Sequence, residues 1–416
     1  MGTITLMDLF AGCGGLSLGL SNAGISAKWA VETNAFALSA YQRRHEQTKC
    51  ISLDAVEVLD RIRSKDGSLP RKGDVDVLAG GPPCQGFCGI NRHRKWSDPR
   101  NSLVEVFFDY IEYLMPRIVL MENVTGILTL ENGLAINNLQ YSLTELGYNV
   151  SLFILQAGNY GVPQNRWRVF VLANLKGPKP QVPKSLHTFP KITPFDVGGF
   201  RQDICFGAVS SAHNLELDFS EKSLDPVNVK DAISDLPKIE NGGKYFGKRT
   251  TAPQSQYQKR LAGGDEIYDH ETVLMGDLNL SRVSAIEPGS GGGWQQLPEQ
   301  LQPLNLSKLS RPRYEHRFGR LKWDGIFNTI LQAPHPYWGR VFHPEQNRLI
   351  SVRECARAQG FPDDFIFNGA MREKYRQVGN AVPPPLARSL GWEIRRSLGD
   401  KSIDSEIESY GKSFTT

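Results

Sequence analysis

Over the first 175 residues, short runs of continuous apolar residues alternate with stretches whose apolar positions recur at helical spacing. Residues 3–10 (TITLMDLF) predict a buried strand, followed by a glycine turn at 11–15 and a helix from about residue 16. Further strands are predicted at 27–32 (AKWAVE), at 75–79 (VDVLA), ending in Gly80-Gly81-Pro82-Pro83, and at 117–121 (RIVLM), with helices over 34–44, 102–114 and 136–146. Residues 150–155 and 167–172 read as two more strands. Strands that are apolar throughout and interleaved with helices predict an α/β fold with a mostly parallel sheet covered on both faces.

From residue 177 the pattern changes. Proline, glycine and polar residues dominate (GPKPQVPKS, SGGGW, LPEQLQPLNLSKLSRPR), and strong helical periodicity returns only at Ser351. The Trp, Tyr, Phe and Leu content of this stretch suffices for a small loop-rich domain rather than a bare linker. Residues 382–394 predict a helix after a triple proline, and the polar end from about residue 397 predicts a frayed tail.

With 40% hydrophobic and 22% charged residues, the composition excludes a disordered chain. The longest apolar runs, such as 118–121 and 169–173, fall far short of the roughly 20 residues that span a bilayer, and no signal-peptide pattern opens the chain. A soluble intracellular protein of more than one domain, without a membrane partner, is expected. Lys and Arg number 48 against 44 Asp and Glu, an excess that leaves a nucleic-acid partner open, because clustering matters more than the total. The six cysteines form no C-x-x-C pair and have no His at zinc-ligand spacing, so neither a metal site nor a disulfide scaffold is expected.

Several residues sit where α/β sheets carry chemistry. The turn Gly12-Cys13-Gly14-Gly15 follows the first strand, with Ser17 where a dinucleotide fingerprint would have its third glycine. Glu32 ends the second strand, about 20 residues on, where an acid binds ribose hydroxyls. Asp54, after an apparent third strand, is placed to receive an adenine amino group. Cys84 lies on the Gly80–Gly86 loop at the carboxyl end of a strand, framed by prolines and glycines, as a nucleophile would be. Glu122-Asn123 follows a strand at the same sheet edge, a partly desolvated place suited to holding or donating a proton. Arg166 and Arg168, two residues apart, suit an anion or ring clamp, and Arg92-His93-Arg94-Lys95 makes a cationic loop fit for a polyanion. On residues alone, each also has a structural reading: a plain turn, a turn cap, a solvated strand edge, a solvated loop.

FAGCGG (10–15), GGPPCQGF (80–87), ENV (122–124), QNRWR (164–168), RECARAQGFP (353–362) and RQVGNAVPPPLA (376–387) occur in one order, with a variable region between the fourth and fifth. Together they resemble the cytosine-5 DNA methyltransferases, and 319–330 and 343–355 resemble the eukaryotic maintenance-type branch. The resemblance implies a Rossmann-like, S-adenosyl-L-methionine-dependent catalytic domain at 1–176 and 340–397 and a smaller target-recognition domain at 177–339. It implies that Phe10 stacks on the cofactor's adenine and that Gly12, Cys13, Gly14 and Gly15 line the cofactor. Glu32 would hold the ribose and Asp54 the adenine. Thr33, where the family often has a bulkier side chain, Pro82, Asn380 and Val382 would complete the pocket.

The same resemblance assigns Cys84 to attack carbon-6 of cytosine, Glu122 to nitrogen-3, and Arg168 with Arg166 to orient the base. Gln85, Gly86, Arg92 and Arg94 would lie on a loop that closes over a cytosine turned out of double-stranded DNA. A monomer without metal is expected. A cognate restriction endonuclease or a chromatin partner, and bacterial cytoplasm or nucleus, both stay open. A transfer-RNA methyltransferase and a catalytically inactive DNA-binding homologue are the competing readings. The first usually carries Cys-Phe-Thr in the recognition region, which is absent here, and the second would not need Cys84, Glu122, Arg166 and Arg168 together.

Overall fold

The computed structural model describes residues 2–83, 103–128, 134–189, 224–303 and 316–414. Seven strands form the central sheet: β1 (Ile4–Leu9), β2 (Ile25–Val31), β3 (Lys49–Ile51), β4 (Val77–Gly80), β5 (Ile118–Val124), β6 (Tyr148–Gln156) and β7 (Trp167–Leu175). Their order is β3-β2-β1-β4-β5-β7-β6. Strands β1 to β5 pair in parallel, and β7 runs antiparallel to both its neighbours. The strand order reverses between β1 and β4, and the crevice at the carboxyl ends beside such a switch point is where open α/β sheets bind ligands.

Both faces of the sheet are covered, which is why its strands are apolar at nearly every position. On one face Met7, Leu9, Leu78 and Val119 pack against helices α3 (Ala55–Arg63), α4 (Leu103–Leu114) and α5 (Leu134–Glu145). On the other, Ile4, Leu6, Val77 and Leu120 meet α1 (Gly15–Ser21) and α11 (Pro384–Ser397). Helix α2 (Ala35–Arg44) starts at Asn34, whose side chain accepts the Ala37 N–H, and α3 starts at Asp54, whose side chain accepts that of Val56.

Among the described residues, the polar second half holds three short helices that periodicity missed, α6 (Val229–Ile233), α7 (Gln256–Leu261) and α8 (Asp277–Ser284). Residues of α6 and α7 share one apolar cluster with α9 (Val352–Ala358) and α10 (Met371–Asn380). Met275, Val283, Ile286, Trp294, Leu297, Phe318, Phe342 and Leu349 form a separate small core. The frayed tail expected from residue 397 is instead a helix, α12 (Ile403–Lys412). Its Ile403 and Ile407 pack with Ala23 and Trp392, and Glu406 accepts from the Trp392 indole N–H at 2.8 Å.

Candidate active site

One cavity of about 510 Å³ opens at the carboxyl ends of β1, β2, β4 and β5. Phe10, the residue that leaves β1, has a left-handed backbone (φ 58°), uncommon for a bulky side chain and a form of strain that clusters at functional sites. It turns the chain from the sheet into the glycine turn and lines the cavity. Gly12 (φ 55°) donates its N–H to Glu32 Oε2 at 2.9 Å, and a Cβ there would enter open space. The Asn34 N–H donates to Glu32 Oε1 at 2.7 Å. Each Glu32 oxygen therefore has one backbone donor and a further lone pair for a ligand hydroxyl. Thr33 and Asp54 share this wall, Asp54 keeping one oxygen on its helix cap at 2.8 Å.

At the other end, strand pairing brings Glu122 and Arg168 to one face, because Glu122 pairs with Phe170 and Val124 with Arg168. Arg168 Nε lies 3.0 Å from Glu122 Oε1, with both side chains largely buried. Burial works against the Arg168 charge, and the Glu122 carboxylate is the group that favours it. Arg166, expected beside it facing the base, is 1% exposed and has its guanidinium on backbone carbonyls: Ile330 at 3.2 Å, Gly379 at 3.2 Å and Ala381 at 3.0 Å. It lines the cavity while tying three segments of its wall together.

Asn123, named beside Glu122 but given no role of its own, has a buried amide that donates to the Pro82 carbonyl at 3.0 Å. It holds the end of β5 to the chain two residues before Cys84. Gln164, which opens QNRWR and was given no role of its own, donates to Ala358 O and Gln359 Oε1 and accepts from the Ile330 N–H. Asp8 was passed over as part of an apolar strand. It is buried on the cavity wall, accepts from Ser17 Oγ at 2.6 Å, and burial raises its pKa to about 7.

Asn380 and Val382 close the cavity from the C-terminal segment, which returns to α1 so tightly that a Cβ on Gly15 would lie 2.5 Å from the Val382 carbonyl. Cys13 lines the cavity but is 2% exposed, its thiol directed to the Gln377 carbonyl at 3.5 Å and pushed by burial up to about 12. Gly14 caps α1 and packs on Tyr41 rather than lining the cavity. Cys84, Gln85, Gly86, Arg92 and Arg94 lie outside the described residues; Pro82 and Pro83, which lead into Cys84, line the cavity.

Among the described residues, five acidic side chains (Asp8, Glu32, Asp54, Glu122, Glu373) and three guanidiniums (Arg166, Arg168, Arg376) line the space. That acid-rich wall, with an aromatic ring at one end and a carboxylate open to hydroxyls, fits a cationic nucleoside ligand. Among the described residues no cluster could hold a metal ion, and no helix is long and apolar enough to cross a membrane.

The fold and cavity define a Rossmann-like α/β protein with its ligand site at the sheet's switch point. The profile of the C-5 cytosine-specific DNA methylases matches residues 4–396, and the chain belongs to that family. It is 36% identical over 445 residues to DNA (cytosine-5)-methyltransferase 4 of Arabidopsis thaliana, a match covering 96% of this chain and 29% of that protein. To DNA (cytosine-5)-methyltransferase 1 of Gallus gallus it is 34% identical, covering 94% and 30%. The chain thus spans about three tenths of the length of these curated relatives. Among solved structures, it resembles one described as a prophage-encoded DNA modification methyltransferase of E. coli, with a TM-score of 0.66, 25% identity, and coverage of 96% of this chain and 100% of the other.

Proposed function

We propose that this chain acts as a DNA (cytosine-5)-methyltransferase that uses S-adenosyl-L-methionine and forms a transient covalent bond between Cys84 and the target base. The observation that carries this reading is one cavity with a nucleoside cradle at one end (Phe10, Glu32, Asp54) and a buried Glu122–Arg168 pair at the other. Residues 1–176 and 340–397 serve catalysis, and 177–339 serve target recognition.

S-adenosyl-L-methionine, when bound, supplies an electrophilic methyl group. Phe10, Glu32, Thr33, Asp54, Pro82, Asn380 and Val382 hold it. Carbon-5 of cytosine is too weak a nucleophile to be methylated directly, so the Cys84 thiolate adds to carbon-6 and makes carbon-5 enamine-like. Glu122 holds a proton at nitrogen-3, and Arg168 fixes the carboxylate and orients the base. After methylation, a base removes the carbon-5 proton, and that electron pair restores the ring double bond as the Cys84 thiolate leaves carbon-6. Carbon-6 is shielded in stacked DNA, so the cytosine leaves the helix, at about a few kcal/mol.

Duplex DNA carrying 5-fluorocytosine tests this, because fluorine at carbon-5 cannot leave as a proton does. A cofactor-dependent covalent adduct is expected, lost in Cys84→Ala. No adduct from folded, cofactor-binding protein overturns the covalent route, and methylation of transfer RNA alone moves the substrate to RNA.

A further inference from the structure

We infer that Arg376 is an oxyanion-binding residue at the mouth of this cavity, a role that rests on the reading just proposed. On α10, Glu373, Arg376, Gln377 and Asn380 recur at spacings of three and four, so they share one helix face, and all four line the cavity. Lys374 belongs to another face and is committed to Asp269 at 2.7 Å and Glu271 at 2.6 Å.

Among the described residues three guanidiniums line the cavity, and two are spent. Arg166 holds three backbone carbonyls, and Arg168 holds Glu122 and the Trp167 carbonyl. Arg376 differs from both. Its side chain is 51% exposed, and its charged neighbour Glu373 stands 3.8 Å away, too far for a hydrogen bond. Glu373 is meanwhile held by the Asn34 amide at 3.1 Å and does not depend on Arg376. A loose, exposed pair of this kind stabilises a fold by little, so the fold itself asks almost nothing of Arg376.

The proposed reaction brings two oxyanions past this point, the α-carboxylate of the cofactor's amino-acid end and the phosphates flanking the extruded base. Both must approach a wall carrying the carboxyl groups of Glu32, Asp54, Glu122 and Glu373. A guanidinium whose donors are uncommitted among the described residues offers either one a forked pair of charge-assisted hydrogen bonds and offsets the repulsion.

Arg376→Gln and Arg376→Lys separate the two sources. Binding of S-adenosyl-L-methionine without DNA is measured by calorimetry, and binding of duplex DNA without cofactor across a salt series. If a phosphate is the ligand, Arg376→Gln weakens DNA binding roughly fivefold to tenfold and lowers the salt slope by about one, with cofactor affinity unchanged. If the carboxylate is the ligand, cofactor affinity falls by a similar factor and the salt slope holds. In either case Arg376→Lys recovers part of the loss. Unchanged affinity for both ligands in folded Arg376→Gln overturns the assignment. A wild-type protein that forms no adduct with 5-fluorocytosine overturns instead the reading of the cavity.

Discussion

Strands β1 to β7 and α11 are buried among aliphatic and aromatic side chains, whereas residues 229–272 meet residues 348–375 through an apolar cluster that also encloses paired charges. In the second interface Arg357 and Arg249 alternate with Asp235 and Asp363 in a closed ring. Arg249 reaches Asp235 at 2.9 Å and Asp363 at 2.8 Å, Arg357 reaches Asp363 at 2.8 Å and also contacts Asp235, and no member's side chain exceeds 8% exposure. Arg348 and Glu354 add a bidentate pair, at 2.8 and 2.7 Å. Apolar burial is non-directional and tolerates small changes of shape. A buried ring of charges is directional and tolerates the loss of no member. The central sheet is thus held by quantity of contact, whereas between residues 229–272 and 348–375 the paired charges add a fixed orientation to the apolar cluster.

The sharpest way to break this contrast is Arg357→Met. It leaves Asp235 and Asp363 buried and short of a partner, at an expected cost of about 3–5 kcal/mol in urea unfolding. The sheet change Ile118→Val should cost only about 0.5–1.5 kcal/mol. Burial raises the Asp363 pKa, but Arg357 outweighs it and leaves the group at about 2. Its stabilisation is therefore complete above the ordinary value of 3.8 and is lost as pH falls toward 2. That acid limb should shrink in Arg357→Met, where Arg249 and Arg353 remain beside Asp363. If both variants cost the same, the two halves are not held by different forces.

The same contrast explains what could be read in the sequence. The strands of the sheet were legible because continuous apolar runs are a local signal, while the insertion of β7 between β5 and β6 is a matter of pairing that no local pattern encodes. Glu32, Asp54, Glu122 and Arg168 could be singled out because each sits near a strand end, and strand ends converge, whereas Phe10 came only from the family resemblance. The charged ring was invisible: Arg357 and Asp235 stand 122 residues apart, and each alone reads as a solvated surface residue. Helices α6 and α7, of 5 and 6 residues, are too short for periodicity to register. In α12 the signal was present but faint, since Ile403 and Ile407 recur at i and i+4 in a polar stretch. Arg166 shows the limit of spacing, which places a side chain beside a cavity without revealing that backbone carbonyls engage it.

Asp8 tests the apolar half from within, because it is the charged exception on the α1 face of β1. Burial raises its pKa from 3.8 to about 7, Ser17 lowers it and Glu32 raises it. Around it stand Ser17 of α1, Tyr41 of α2 bonded to Ser17 at 2.8 Å, and Glu32 at the end of β2, while its partners on β2 and β4 are Ala30 and Ala79. A raised folded-state value means stability that is complete below 3.8 and lost as pH rises through about 7. Asp8→Asn should remove this slope, so that the variant gains roughly 2–4 kcal/mol at pH 8 relative to its difference from wild type at pH 4. Parallel pH profiles for the two proteins would contradict a buried, proton-holding Asp8.

The smallest expected effect probes how much apolar packing forgives, and it lies where α1 meets α11. Replacing Gly19 with Ala improves the helix propensity of α1 by about 0.8–1 kcal/mol. The added Cβ would stand 2.3 Å from Ala387 Cβ and 2.4 Å from the Pro384 carbonyl, and the second of these is backbone that cannot turn aside. The helices must separate, so the propensity gain is overtaken and a net loss of about 1–3 kcal/mol is expected, within the range for overpacked cores. Because α11 follows directly on Asn380 and Val382, the separation draws the C-terminal wall away from the cavity. Gly19→Ala should therefore weaken S-adenosyl-L-methionine binding by calorimetry as well as lower Tm. A lowered Tm with unchanged cofactor affinity would mean that the wall is anchored by Arg166, through its bonds to Gly379 and Ala381, and not by the helix behind it.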